Sequence, residues 1–180
     1  MDPALRQEIL DILASAKDMT IATVRDDGYP QATTVSYASE GLAIYFGTYT
    51  LSQKARNIAR RDKISLTINL PYNNWGEIRG LSLGGKAERL IDPEAVRRAG
   101  EFLLQRFPQG IAEYASGVLD DVAFFRVTPE VISVLDYCKG FGHADLVHMH
   151  NNLEAGGGNT DEAKNKAEMR GTSAAGSRLR

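Results

Sequence analysis

The chain has 180 residues, of which 43% are hydrophobic and 24% charged, and its formal net charge at pH 7 is −2. This composition is typical of one globular domain, and neither the net charge nor any basic stripe indicates a nucleic-acid partner. The single cysteine, Cys138, excludes an internal disulfide and favours a reducing compartment. No apolar run approaches the roughly 20 residues of a membrane span, and the N-terminus lacks the order of a secretory signal. We therefore predict a cytoplasmic protein with no membrane partner.

The N-terminal segment predicts a helix over residues 2–17. Asp2 is suited to cap this helix and Pro3 to occupy its first position. Apolar residues then recur at spacings of three and four, which gives the helix one face for docking on the domain. These residues are Leu5, Ile9, Ile12, Leu13 and Ala16.

From Met19 onward the hydrophobic pattern becomes that of strands. Residues 19–24, 31–37 and 42–46 are rich in β-branched and aromatic side chains. Turn-forming residues separate them at Asp26-Asp27-Gly28 and at Ser39-Glu40-Gly41. Because both connections are short, we predict an antiparallel meander.

Residues 44–58 predict a strand that gives way to a helix. The strand is expected to break at Gly47, and a helix over about residues 51–61 to start near Ser52. Such a junction directs free N–H groups, the helix dipole and hydroxyls toward one point, which is a natural anion site. Lys54 adds a positive charge in the first turn, where the dipole does not favour it. The residues alone leave two interpretations open, a phosphate site and an ordinary cap with a solvated lysine.

The second half of the domain predicts four more strands and one long helix. Residues 71–76 form a loop with two aromatic rings, and Gly84-Gly85 inside a strand indicate a bulge. Residues 128–130 are expected to separate the last two strands. The predicted strands cover residues 64–70, 78–90, 122–127 and 131–135, and the predicted helices 93–106 and 111–115. About seven mostly antiparallel strands favour a small barrel with flanking helices over a doubly wound sheet.

From about residue 151 the composition changes to glycine, serine and alternating charges with almost no large apolar residue. Such a segment cannot bury enough surface to offset the entropy of ordering it. We therefore expect a folded domain over residues 1–150 and a disordered tail over residues 151–180.

Four segments carry a resemblance to a known family. Gly28-Tyr29-Pro30 precedes a Thr-rich strand, and Tyr45-Phe46-Gly47-Thr48 leads to Ser52-Gln53-Lys54-Ala55-Arg56-Asn57. Leu83-Gly84-Gly85-Lys86-Ala87-Glu88 and Phe125-Arg126-Val127-Thr128-Pro129-Glu130 follow. In order and spacing, over roughly residues 19–137, they resemble the pyridoxamine 5'-phosphate oxidase-like FMN-binding split-barrel family. The resemblance implies a mainly β fold with flanking helices (α+β), an antiparallel split β-barrel, and a homodimer with FMN at its interface.

The resemblance also implies which residues bind FMN. The family's Ser-Arg-Lys run stands here as Ser52-Gln53-Lys54, so Lys54 is expected to bind the phosphate, with Ser52 and Gln53 as hydrogen-bonding partners. Glutamine in place of arginine removes one bidentate phosphate contact. The other implied contacts are Thr33, Thr34, Val35 and Ser36 along the flavin ring, Gly47 and Thr48 beside it, Trp75 against the ring, and Arg79 across the dimer interface.

As a function, the resemblance implies an FMN-dependent oxidoreductase that acts on a small molecule with a nicotinamide electron donor. Oxidation of pyridoxamine phosphate itself is not expected, because the C-terminal Arg-Leu-His run of the namesake has no counterpart. Residues 135–143 stand in its place, as a lid carrying Lys139 and His143 or as a plain exit from the barrel. Two alternatives are a deazaflavin (F420)-dependent reductase and a flavin- or haem-binding module without turnover.

Neither a catalytic residue nor a metal site is predicted. The sequence offers no paired carboxylates, no Ser-His-Asp order and no activated nucleophile. His143, His148 and His150 do not have the spacing of a zinc ligand set. The chemistry is therefore expected to reside in the cofactor, and the sequence does not identify the substrate.

Overall fold

Most helices and strands of the computed structural model, which describes residues 1–110 and 121–149, begin and end close to the predicted positions. In chain order they are α1 (Pro3–Ser15), β1 (Asp18–Val24), β2 (Pro30–Ser36), β3 (Ala38–Glu40), β4 (Ala43–Tyr49), α2 (Gln53–Arg60), β5 (Lys63–Asn69), β6 (Arg79–Arg89), α3 (Pro93–Arg106), β7 (Val122–Asp136) and β8 (Ala144–His148). Short 3-10 turns follow at Trp75–Glu77, Pro108–Gly110 and Tyr137–Lys139. The exceptions to the predicted positions are β3, β7, β8 and the end of β4. The helical piece expected at residues 111–115 and the tail expected at 151–180 lie outside the described residues.

The described strands form one antiparallel sheet in the order β2-β1-β5-β6-β7-β4-β3, and β8 pairs with β7. β2 pairs with β1 along its whole length, from Asp18↔Ser36 to Val24↔Pro30. β4 pairs with β7 over Ile44–Tyr49, and β3 covers only the first part of its other edge. The sheet therefore curls into a barrel that stays open between β2 and the second half of β4. The split-barrel fold expected from the sequence is confirmed.

The core lies between the inner face of the sheet and α1. Burial alternates along β1 and β5, as a strand with one covered face requires. Ile9, Ile12 and Leu13 of α1 are almost completely buried, so the predicted apolar face of this helix is confirmed. Phe46 and Phe125 stack with their ring centroids 5.2 Å apart. Each fully buried side chain of this size contributes about 1.5–3 kcal/mol.

The predicted bulge in β6 is confirmed at Gly84/Gly85, where the pairing with β7 shifts register. Gly84 pairs with Val131 and Gly85 with Pro129, so Glu130 is the extra residue. A Cβ atom on Gly85 would lie 2.4 Å from the carbonyl oxygen of Thr128. Glycine is therefore needed here because the two backbones approach closely.

Two predictions about β4 are wrong. β4 does not break at Gly47 but continues to Tyr49, because Gly47 pairs with Phe124 of β7. The predicted meander does not form either, since β3 turns back at Gly41 to pair with β4 and not with β2. β2 and β4 consequently lie at opposite ends of the strand order.

The C-terminal part of the sheet also differs from expectation. Residues 128–130 do not separate two strands, because the bulge opposite Gly85 lets β7 accommodate Pro129 without a break. The segment expected to be a lid or a barrel exit, residues 135–143, holds the end of β7 and a tight connection with the 3-10 turn Tyr137–Lys139. It leads into β8, a strand that the sequence did not predict, which pairs with β7 from Val131↔His148 to Leu135↔Ala144. No helix in the described parts of the chain is long and apolar enough to cross a membrane.

Candidate functional site

One ammonium group and two hydroxyls meet where β4 ends and α2 begins. Lys54 Nζ donates to Thr48 Oγ1 at 3.2 Å, and Thr48 Oγ1 lies 3.2 Å from Ser52 Oγ. Ser52 caps α2, with its Oγ accepting a hydrogen bond from the Ala55 N–H at 3.2 Å. The structure thus brings together three of the residues predicted to bind the cofactor, and we call Lys54, Thr48 and Ser52 the Lys54 cluster.

The electrostatics of the Lys54 cluster suit an anion. Lys54 is half-buried, and burial lowers its pKa because the ammonium loses solvating water. No carboxylate among the described residues forms an ion pair with Lys54 Nζ or offsets that effect. The unbonded N–H groups and positive dipole end of the first turn of α2 lie at the same place. The cluster can therefore hold a phosphate or carboxylate group.

A cavity of about 400 Å³ adjoins the Lys54 cluster at the opening between β2 and β4. Val35 and Ser36 of β2 line it together with Gly47 and Thr48 of β4, so Thr48 belongs to both the cavity and the cluster. The rest of the lining comes from α3, the turn after it and β7. These residues are Gly100, Leu103, Leu104, Phe107, Gln109, Gly110, Val122 and Phe124. The arrangement can hold an apolar ring system next to an anionic group.

Thr33 and Thr34 lie beside the cavity residues on β2 but on opposite faces of that strand. Thr33 shares the half-buried face with Val35, and its Oγ1 is buried without a hydrogen-bond partner among the described residues. Thr34 is exposed, and Ser36 Oγ donates to Asp18 Oδ1 at 2.7 Å. Of these hydroxyls, that of Thr33 is thus the one left to bond a group on the inward face.

The side chain of Gln53 is directed away from the Lys54 cluster. Its Nε2 donates to Asn57 Oδ1 at 2.8 Å, and its Oε1 accepts from Arg56 Nη2 at 3.1 Å. The buried Asn57 in turn donates to Thr23 Oγ1 at 2.9 Å. Gln53 therefore helps to anchor α2 on β1. Sequence reasoning missed this role, although the i, i+4 spacing of Gln53 and Asn57 is a signal for it.

Trp75 and Arg79 belong to a different part of the molecule. Arg79 Nη2 lies 3.7 Å from Glu8 Oε1, and its Nε lies 4.0 Å from Asp136 Oδ1. Trp75 is 70% exposed, and its ring centroid is 6.3 Å from that of Phe141. Both residues therefore contact α1 or the segment after β7 and not α2.

The length of β5 separates this region from the Lys54 cluster. α2 leads directly into the start of β5, whereas Trp75 and Arg79 follow its end. A strand of seven residues spans about 20 Å. Within one chain the structure does not bring Trp75 or Arg79 to the cluster, and the contact of Arg79 across a dimer interface stays a prediction.

Sequence reasoning did not identify the wall of the cavity that Gly100, Leu103, Leu104 and Phe107 form, which we call the α3 wall. It interpreted Val96, Phe102 and Leu103 only as the buried face of the helix, and gave Gly100 no role. A glycine in the middle of a helix weakens it by about 1 kcal/mol relative to alanine, so it is a signal worth following. Here Gly100 faces the cavity.

His143 lies near a separate group of charged residues. Its Nε2 is 3.0 Å from Asp145 Oδ2, and Lys139 Nζ is 2.7 Å from Glu8 Oε2. In the parts of the chain that the structure describes, no group of three or more His, Cys, Asp or Glu residues could hold a metal ion. His150 lies outside those parts.

Comparison with known proteins supports the fold assignment. Residues 5–136 match the family model described as pyridoxamine 5'-phosphate oxidase. One similar solved structure is a haem-binding protein from Mycobacterium smegmatis, with 23% identity and a TM-score of 0.68 over 82% of this chain and 59% of that chain. Another is a conserved hypothetical protein from Mycobacterium tuberculosis, with 26% identity and a TM-score of 0.67 over 84% of this chain and 94% of that chain. A third is HutZ, the haem storage protein from Vibrio cholerae (20%, 0.60, 69% and 89%). This chain thus spans less than two thirds of the M. smegmatis protein. No curated protein matches the sequence significantly.

Proposed function

We propose that this chain, which belongs to the pyridoxamine 5'-phosphate oxidase family, binds FMN and acts as an oxidoreductase on a small molecule. The observation that carries the proposal is the half-buried ammonium of Lys54, which has no acidic partner among the described residues. It is hydrogen-bonded to Thr48, which also lines the apolar cavity. The family includes flavin-binding oxidoreductases, and proteins that bind haem share its fold.

The phosphate and the ring of FMN would each be bound by a different part of this site. The phosphate would be held by the ammonium of Lys54, the hydroxyls of Thr48 and Ser52 and the first-turn N–H groups of α2. The flavin ring would lie in the cavity, where Val35 excludes water. The hydroxyl of Thr33, on the same face of β2 as Val35 but outside the described lining, would have to become accessible to bond the polar edge of the ring. When bound, FMN supplies the hydride or electron transfer, and the chain binds, orients and shields it.

A homodimer and a nicotinamide electron donor are further parts of this proposal. The outer edge of β2 has no strand partner in the described chain, and Trp75 and Phe141 are 70% and 81% exposed. Unpaired edges and clustered exposed aromatic rings are typical of surfaces that a second subunit covers. A partner subunit that covers these surfaces would also allow Arg79 to reach the cofactor bound by the other chain.

Haem binding is a second candidate, because two structures with this fold are described as haem-binding or haem storage proteins. His143, with Asp145 at its Nε2, is suited to ligate iron through its other nitrogen. The cavity beside the Lys54 cluster has no His, Cys, Met or Tyr among its described lining residues. A haem would therefore be bound outside that cavity, with His143 as the proposed ligand.

The deazaflavin alternative needs a basic groove for a longer anionic tail. A groove of about 430 Å³ beside α2 is lined in part by Arg25, Arg56 and Arg60. Two of these arginines are neutralised, since Arg25 pairs with Asp27 and Arg60 with Asp26. The remaining positive charge of the groove is small, so the groove is poorly suited to a polyanionic tail. FMN is therefore favoured over a deazaflavin cofactor.

The test is a visible absorption spectrum of the purified protein, mass identification of any bound small molecule, and anaerobic reduction by NADH or NADPH after loading with FMN. A flavin spectrum, an FMN mass and bleaching by the nicotinamide are expected. A protein that takes up no FMN and shows a Soret band, lost in His143→Ala, would instead establish the haem candidate.

A further inference from the structure

The α3 side of the cavity has a chemical character that FMN binding alone does not require. Leu103, Leu104 and Phe107 line it from α3 and the residue after that helix, and Phe124 faces them from β7. None of the twelve described lining residues is charged. The polar side chains among them are Ser36, Thr48 and Gln109. This wall therefore offers extensive apolar contact and few hydrogen bonds.

Gly100 has no local reason to be glycine. It lies in the interior of α3, where alanine would make the helix more stable. Among the described residues outside the helix, the atom nearest to a Cβ on Gly100 would be Phe124 Cζ at 3.9 Å, an ordinary van der Waals contact. The described packing therefore does not exclude a side chain at this position. What glycine provides at this position is free volume in the cavity.

A charged ligand would be unfavourable against this wall. Burying a carboxylate or phosphate requires an opposite charge or several hydrogen bonds. The cation that is hydrogen-bonded to the lining residue Thr48 is Lys54, and the FMN phosphate occupies it in the proposed function. A neutral, apolar molecule encounters no such penalty and gains from the area that it buries.

We propose that the α3 wall is the substrate-binding surface, that the substrate is an uncharged and largely apolar small molecule, and that Gly100 sets the depth available to it. This inference rests on the proposed function, since the substrate must lie beside a flavin held between β2 and β4. Gln109 can supply one hydrogen bond to a polar substituent. The described lining of the cavity offers no charged group that would bind a phosphorylated or carboxylated substrate.

The experiment compares two fluorescent probes of similar shape, uncharged 1-aminoanthracene and anionic anthracene-2-carboxylate. Both are titrated into the wild type, Gly100→Leu, Gly100→Ala and the control Gln105→Leu, with and without FMN. Gln105 is exposed on the same helix, so its substitution places a leucine side chain on α3 outside the cavity. In FMN-loaded wild type, where the phosphate occupies Lys54, the neutral probe should bind at least about tenfold more tightly than the carboxylate.

Leucine at position 100 should lower the affinity for the neutral probe by about tenfold or more. Gly100→Ala should lower it less and leave thermal stability undiminished, which provides a reading even if the leucine variant does not fold. Gln105→Leu should match the wild type. Equal binding of the two probes to the FMN-loaded protein, or Gly100 variants that bind the neutral probe as wild type does with or without FMN, would overturn the inference. Failure to take up FMN would instead overturn the proposed function.

Discussion

The Nζ of Lys54 lies 3.2 Å from the Oγ1 of Thr48, and this hydrogen bond joins the first turn of α2 to the end of β4. Thr48 also lines the cavity between β2 and α3, so the bond connects a site for an anion with a site for an apolar ring. Neither feature alone would distinguish FMN from other ligands. Their shared residue makes a flat apolar molecule with a terminal phosphate the ligand that fits both.

Lys54 is expected to destabilise the protein without cofactor. Burial lowers its pKa in the folded state from 10.5, so between the folded and unfolded pKa values the unfolded chain binds more protons. At neutral pH the buried charge therefore opposes folding, and this effect disappears as the pH rises above the unfolded value. Lys54→Met should raise the urea midpoint of the cofactor-free protein at pH 7. Lys63→Met, at an exposed position, is the control, and a lower midpoint for Lys54→Met would contradict this interpretation.

FMN affinity should depend on pH at both ends of the range. A phosphate monoester gains its second negative charge at about pH 6, so FMN binding should strengthen as the pH rises through that value. It should weaken again at alkaline pH as Lys54 loses its proton, starting below pH 10.5 because burial lowers its pKa. Riboflavin is the control for titration of the ring itself. If FMN and riboflavin gave the same pH profile by fluorescence titration, Lys54 would not be the phosphate ligand.

The bulge glycines should differ sharply in their tolerance of alanine. A Cβ atom on Gly85 would lie 2.4 Å from the carbonyl oxygen of Thr128, which cannot move without the backbone of β7. On Gly84 it would lie 3.0 Å from Val131 Cγ1, a side-chain atom that can shift. Gly85→Ala should lower the free energy of unfolding by more than about 2 kcal/mol, and Gly84→Ala by about 1 kcal/mol. Equal urea midpoints for the two variants would show that the bulge relaxes.

Gly100→Ala should raise the free energy of unfolding, in contrast to alanine at the two bulge glycines. The new methyl group meets Phe124 at an ordinary contact distance, and alanine is the better helix former. The free energy of unfolding should rise by about 0.5–1 kcal/mol, measured in urea. A fall would mean that α3 is packed more tightly at this position than the cavity implies.

Much of the fold could be predicted because its determinants are local. Asp2 and Pro3 start α1, the alternation of β1 and β5 sets their buried faces, and Gly84-Gly85 mark the bulge. The pairing of β4 could not be predicted in this way, since the short turn before it is compatible both with pairing to β2 in a meander and with pairing to the distant β7. Closure of the barrel decides between them, and it depends on all the strands together.

The residues of the candidate site likewise divide into those that local sequence features predict and those whose position depends on tertiary packing. Ser52 and Lys54 could be predicted because a cap and a first-turn cation are sequence-local features. Gln53 was assigned to the phosphate by resemblance, but its contacts with Arg56 and Asn57 depend on how α2 packs on β1. The α3 wall depends on the position of a helix far along the chain, for which the sequence carries only the signal of Gly100.

The most direct measurement is the ratio of FMN to riboflavin affinity in wild type, Lys54→Met and Lys63→Met, by fluorescence or calorimetric titration. The two ligands differ only by the phosphate, so this ratio isolates the contribution of the Lys54 cluster. Wild type and Lys63→Met should prefer FMN by at least about tenfold, and Lys54→Met should lose most of that preference while riboflavin affinity stays unchanged. A Lys54→Met variant that binds FMN as tightly as wild type would contradict the assignment of the phosphate to this cluster.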